Sequence, residues 1–239
     1  MLSSTDLELQ LLIEAELPPM GKKRAVVIIG RMNPPTAGHY KVIDSAKKYI
    51  RTNPDKNLIA TPVLVIIGDD TKERDLSKNP LSVEDRIRFI KASGKANGVI
   101  ILSAPNAFAA LVLAREKGYE PIVIAVGSDR ADSYMKILKS FKDDEGNEIE
   151  HFQLTLDRNQ SASLSPKQKK AEAERALELV KDTGGEIDTD LVSGSLAKTA
   201  VEMGYFDEFV KIVGLENNQK LAELLWDKLK SAHDKMKAV

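Results

Sequence analysis

The sequence contains no cysteine. That excludes disulfides, thiolate metal sites and a cysteine nucleophile, and it fits a reducing compartment. Aromatic residues are few, at 5%. Net charge is −1, so no broad basic field points to nucleic acid and no acidic tail appears. No apolar run reaches the length of a membrane span. The first residues lack a basic stretch followed by an apolar core, so no secretion signal is expected and a cytoplasmic location is. Only three histidines occur, His39, His151 and His233. No two of them have metal-ligand spacing, so zinc is not expected, and no protein metal site is assigned.

What is present is organised around one stretch, Val26 to Asp44, VVIIGRMNPPTAGHYKVID. Five apolar residues, Ala25 to Ile29, end at Gly30, as in a buried parallel strand. A loop with Pro34 and Pro35 follows, then Thr36-Ala37-Gly38-His39. Beyond His39, Val42, Ile43, Ala46 and Ile50 form the stripe of a helix. The polar residues therefore sit where a strand's C-terminal end gives way to a helix start. Open α/β sheets bind ligands there, and helix-start N–H groups favour phosphate.

The rest of the chain repeats this alternation. PVLVIIG (62–68) reads as a second strand, which with the first makes a right-handed βαβ unit. A charged loop, 69–78, follows. Asn79-Pro80-Leu81-Ser82 starts a helix with Ile87, Phe89 and Ile90 inward and Arg86 and Arg88 on it. Val99 to Leu102 is a third strand. Asn106 to Lys117 is a helix with Phe108, Leu111 and Val112 as core. Pro121 to Val126 is a fourth strand, ending at Gly127-Ser128-Asp129-Arg130. His151 to Leu156 is a fifth, followed by Asp157-Arg158. Ala171 to Asp182 is helical. Leu215 to Val239 is a final amphipathic helix, with Leu221, Leu225, Trp226 and Leu229 apolar. Three regions are expected: an N-terminal helical extension (1–23), an α/β domain (24–212) and a C-terminal helix (213–239). The fold expected is a Rossmann-like open parallel sheet of about five strands, helices on both faces.

Three motifs carry a family resemblance. Gly30 to His39, GRMNPPTAGH, resembles the G-x-F-x-P-x-[HT]-x-G-H signature of the nucleotidylyltransferase superfamily, with Met32 in place of an aromatic and Thr36 in place of the first His. Gly127-Ser128-Asp129-Arg130 resembles its G-x-D motif. Ser193-Gly194-Ser195-Leu196-Ala197-Lys198 resembles its C-terminal [ST]-[SGT]-[ST]-x-x-[RK] motif, with Lys198 where most members have Arg. The NPLS-x-E-x-R run resembles the segment after the second strand, especially in small phage-encoded members, whose location would be the host cytoplasm.

The resemblance implies nucleotidyl transfer to a phosphorylated acceptor with release of pyrophosphate. His39 would donate to phosphate oxygens, Thr36 would hydrogen-bond phosphate, and Lys198 would neutralise it. Gly30, Arg31, Met32, Asn33, Gly38, Gly127, Ser128, Asp129, Arg130, Ser193, Gly194 and Ser195 would bind the nucleotide. Arg86 and Arg158 would meet the acceptor, although capped-helix and surface roles serve equally well for them. Mg²⁺ would be held by the nucleotide and water. ATP with an acceptor such as nicotinamide mononucleotide is the leading reading. CTP with a phosphorylated alcohol is the enzymatic alternative, and a nucleotide-binding protein that has lost turnover is the non-enzymatic one. A dehydrogenase is disfavoured, because no G-x-G-x-x-G follows the first strand. An aminoacyl-tRNA synthetase is disfavoured by the short chain and the lack of a K-M-S-K-S run. The partners expected are a nucleoside triphosphate and a phosphorylated small molecule, with no nucleic acid and no membrane, and with a homo-oligomer contact through the terminal helices left open.

Overall fold

Consecutive apolar residues, rather than alternating ones, mark strands that are covered on both faces. In the computed structural model, which describes residues 23–54, 58–68, 76, 79–127, 131–142, 146, 152–156, 166–183 and 193–238, such runs form the central members of a set of five parallel strands. They are β1 (Lys23–Gly30), β2 (Val63–Ile67), β3 (Ile100–Ala104), β4 (Tyr119–Gly127) and β5 (Phe152–Leu156). Their order in one sheet is β3-β2-β1-β4-β5, and every pairing is parallel. Val26 and Val27 of β1 and Val63 to Ile66 of β2 are wholly buried.

The connections are helical: α1 (Ala37–Thr52), α2 (Val83–Ala92), α3 (Ala107–Glu116) and α4 (Ala131–Ser140). Right-handed crossovers place α1 and α2 on one face and α3 and α4 on the other. The stripe Val42, Ile43, Ala46 and Ile50 is buried as the sequence pattern requires. Four further helices follow the sheet: α5 (Pro166–Thr183), α6 (Gly194–Met203), α7 (Phe206–Val213) and α8 (Gln219–Lys237). They build a second apolar core from Leu177, Leu196, Phe209, Leu225, Leu229 and their neighbours, and Leu81 and Phe89 join it. So the segment from Leu81 into α2 belongs to both halves, with Ile87 and Ile90 in the sheet core.

Several boundaries differ from the sequence reading. β4 begins at Tyr119, before Pro121. Its register with β1 shifts between Ala25 and Val26, beside Pro121. Proline has no N–H to give the ladder, and an irregularity there lets pairing resume. The residues Asn79-Pro80-Leu81 precede α2, and Ser82 is its cap, accepting from the Asp85 N–H at 3.1 Å. The last helix begins at Gln219, not Leu215, because Gly214 at φ 68° ends α7 first. Phe108 is not core: it is 49% exposed and meets Phe141 edge-on. At about 100° per residue it points away from the buried stripe of Ala110, Leu111 and Ala114. The expected leader helix before Lys23, most of the charged loop at 69–78, and the turns carrying Ser128, Asp129, Arg130, His151 and Arg158 lie outside the described residues.

Candidate active site

β1 lies at the switch point of the sheet, since β2 extends to one side and β4 to the other. A crevice opens at such a point beyond the strands' C-terminal ends. Gly30 ends β1 and Gly127 ends β4. Both lie two residues past the last registered pair, Ile28 and Ala125. Gly30 and Gly127 therefore border one crevice.

The loop from Arg31 to Thr36 is a braced structure. Met32 takes a left-handed φ of 50° and is almost fully buried. Its Cε would lie 3.3 Å from a Cβ placed on Gly30, so Met32 covers the end of β1 as an apolar plug. Asn33 is buried too. Its amide nitrogen donates to the Leu81 carbonyl at 3.1 Å, and its amide oxygen accepts from the Leu81 N–H at 3.1 Å. That reciprocal pair docks the segment before α2 onto the loop; the Asn33–Pro34 peptide beside it is cis.

Arg86 is only 1% exposed. Its Nη1 donates to the carbonyls of Arg31 at 2.7 Å and Ile67 at 2.9 Å, and its Nε donates to Ser82 O at 3.1 Å. One buried guanidinium thus ties together the ends of β1 and β2 and the cap of α2. Charge-assisted bonds of this kind are strong, and they compensate the cost of burying the cation. Gly68 makes the approach workable: at φ +147° its missing Cβ would fall 2.7 Å from Arg86 Nη2. Neither expected role for Arg86, an acceptor contact or a solvated helix face, matches this burial. Its neighbour Arg88 is exposed.

Thr36 caps α1 and is wholly buried. Its N–H donates to His39 Nδ1 at 3.1 Å, and its hydroxyl lies 2.8 Å from the same nitrogen. The expectation that Thr36 itself bonds phosphate does not fit a side chain with no exposed surface. His39 is half-buried at the third helical position, beside the buried Gly38.

The last motif arrives at the same loop from far along the chain. A Cβ on Gly194 would lie 3.1 Å from the Asn33 carbonyl oxygen and 3.5 Å from Pro34 Cδ. A glycine lets the start of α6 come this close without the loop having to give way. A similar contact sits one helix later, where a Cβ on Gly214 would be 3.4 Å from Ala37 Cβ. Ser193 caps α6, accepting from the Leu196 N–H at 3.2 Å. The N–H groups of Gly194 and Ser195 precede the first intrahelical bond, which Ala197 makes to the Ser193 carbonyl. The site thus has two helix starts, α1 and α6, flanking one loop. Ser195 is exposed and Lys198 half-buried, one turn inside α6.

The sequence reading did not single out Gly68 or Leu81. A glycine closing an apolar run is the signal for the first. Leu81 acts through backbone atoms, which leave no trace in residue type. Among the described residues, no three His, Asp or Glu side chains gather as a metal cage, and no helix is long and apolar enough to cross a membrane.

A family model described as cytidylyltransferase-like matches residues 27–167. That span includes the first two motifs and stops short of Ser193 to Lys198. No curated protein matches the chain. Among solved structures, the chain is similar to a macrolide-efflux protein from Streptococcus pneumoniae. The identity is 12% and the TM-score 0.39, over 70% of this chain and 67% of that one. At that TM-score the likeness carries no argument.

Proposed function

The chain belongs to the cytidylyltransferase-like family, a nucleotidyltransferase family, and from that premise we propose that it transfers AMP from ATP to a phosphorylated small molecule. An acceptor phosphate oxygen attacks the nucleotide's α-phosphorus in line. The bond from that phosphorus to the bridging oxygen breaks, and pyrophosphate leaves. No protein nucleophile takes part, so rate comes from positioning and from charge stabilisation.

The observation that supports this most is the meeting of Gly194 with Asn33 and Pro34. It places the start of α6 against the loop that ends in Thr36-Ala37-Gly38-His39. In this reading the backbone from Gly30 and Arg31 and the N–H groups at the start of α1 cradle the triphosphate. Those of Gly194 and Ser195, with the Ser193 and Ser195 hydroxyls and Lys198, take the β- and γ-phosphates. His39 stabilises charge on the transferring group. Gly127 and the turn after it approach the base and ribose. Asn33 and Met32 hold the loop in shape, and so does Arg86. Mg²⁺ would ride on the triphosphate and screen its charge. A nicotinamide mononucleotide-like acceptor is favoured because the Thr form of the first motif resembles adenylyltransferases of mononucleotides. The second reading is cytidylyl transfer, with a phosphorylated alcohol as acceptor; the family's description as cytidylyltransferase-like is compatible with it.

Pyrophosphate release separates the two. ATP and CTP are each tested with Mg²⁺ against phosphorylated acceptors, including nicotinamide mononucleotide and glycerol phosphate, with His39→Ala as control. Release with ATP and one acceptor, lost in His39→Ala, is the expected result. Release with CTP alone replaces the first reading by the second. No release with any pair, while nucleotide still binds by calorimetry, overturns both.

A further inference from the structure

Two donors of Thr36 converge on one atom of His39. The Thr36 N–H donates to Nδ1 at 3.1 Å, and Thr36 Oγ1 lies 2.8 Å from it. A backbone N–H can only donate, so Nδ1 must present its lone pair. The neutral ring then carries its proton on Nε2. The hydroxyl faces the same lone pair and donates as well. In a capping box the third helical residue reaches back to the cap's N–H, a task normally given to Glu or Gln. Here the imidazole does it. The spacing Thr-x-x-His therefore aligns ring and cap by ordinary helix geometry. Thr36 is 0% exposed, which leaves its hydroxyl no surface for a ligand oxygen.

We propose that Thr36 is a positioning residue that locks His39 in the Nε2–H tautomer, so that the ring meets the reacting phosphate as a neutral hydrogen-bond donor. The catalytic consequence rests on the proposed nucleotidyl transfer; the tautomer itself does not. No proton changes hands: Nε2–H donates a hydrogen bond to phosphate oxygen and keeps its proton. A Val at position 36 keeps the backbone N–H and removes the hydroxyl, so the lock loosens without losing the cap's main-chain geometry.

The test reads the ring directly. Long-range ¹H–¹⁵N NMR of the ligand-free full chain, at about pH 8 and so above the ordinary imidazole pKa, reports which nitrogen of His39 carries the proton. The Nε2–H pattern is expected in the wild type. In Thr36→Val the His39 Nδ1 signal should shift, because one of its two donors is gone, while the backbone N–H keeps the Nε2–H tautomer in the majority. With an active nucleotide and acceptor pair, kcat of Thr36→Val should fall by about 10–100-fold while KM for the triphosphate stays the same. Thr36→Ser should restore both readings. An Nδ1–H pattern in the wild type overturns the proposal, and this reading needs neither a variant that folds nor a substrate. Unmoved His39 signals in Thr36→Val, with a raised triphosphate KM and normal kcat, overturn it in favour of direct phosphate contact. A locked tautomer in a chain that turns over no substrate supports the lock and removes the proposed function.

Discussion

The two sides of the crevice are built in opposite ways. On the β1 side the side chains turn inward: Met32, Asn33 and Thr36 are buried, and Arg86 is buried beneath them. On the α6 side the polar groups turn outward: Ser195 is exposed and Lys198 half-buried, on a helix held by Leu196, Ala197 and Ala200 in its own core. A residue in the first motif therefore acts mainly by fixing the loop and the ring of His39. In the last motif Ser193, Gly194, Leu196 and Ala197 hold the helix in place, and Ser195 is the exposed polar side chain. The difference teaches that motif membership and ligand contact are separate properties: of the first motif's polar side chains, Asn33, Thr36 and His39 all bond within the protein.

Substitutions can break this contrast. His39→Ala should have the largest effect, a fall in turnover of about 10²–10³-fold, the scale of one preorganised donor. Steady-state pyrophosphate release checks it, and a loss under tenfold would place the charge stabilisation on the α6 side instead. Next is Arg86→Met, which removes the guanidinium donor from the Arg31 and Ile67 carbonyls and leaves the Ser82 carbonyl only the backbone N–H of residue 86. It should destabilise the fold by about 3 kcal/mol. Urea unfolding with an unchanged m-value measures this; a cost below about 1 kcal/mol would mean that the clamp is dispensable.

Gly194→Ala tests the junction of the two sides. Its Cβ meets the Asn33 carbonyl at 3.1 Å, and overpacking should cost about 1–3 kcal/mol and raise KM for the triphosphate. An unaltered KM would show that α6 binds phosphate without its close seat on the loop. Ser193→Ala removes a cap and should cost about 1 kcal/mol, measured by thermal unfolding.

The smallest effect concerns pH. Burial raises the Tyr40 phenol above its ordinary value, partly offset by its hydrogen bond to Ser93. The unfolded tyrosine loses its proton near pH 10, while the folded one keeps it. The folded state then binds more protons, so stability is level below about pH 10 and falls as pH rises beyond it. Tyr40→Phe should flatten that alkaline limb in unfolding curves; an unchanged slope would assign the loss to other groups.

Much of the architecture was legible from local pattern. The runs AVVII and PVLVII point to strands buried on both faces, and the stripe Val42, Ile43, Ala46 and Ile50 to a helix packed on them. Ends were less legible. Leu215 looked like the start of the last helix, but Leu215 N–H bonds back to Val210 across the Gly214 cap. Phe108 looked like core because it is large and apolar, yet its angle on α3 turns it outward. In the candidate site the residue types and their order were readable, whereas their exposure was not. Arg86 and Arg88 are the same residue two positions apart on one helix, and one is buried while the other is exposed.

Sequence alone determined the family, the parallel α/β pattern and the placing of three motifs at strand ends and helix starts. These follow from hydrophobic period, from glycine and proline, and from residue order, all local properties. The tertiary structure decided which side chains of the motifs are buried and which are exposed. It brought Gly194 against Asn33, seated Arg86 under three carbonyls and buried Thr36. Burial and hydrogen-bond partners depend on residues far apart in the chain, and only the packed sheet and its helical cover bring those residues within bonding distance.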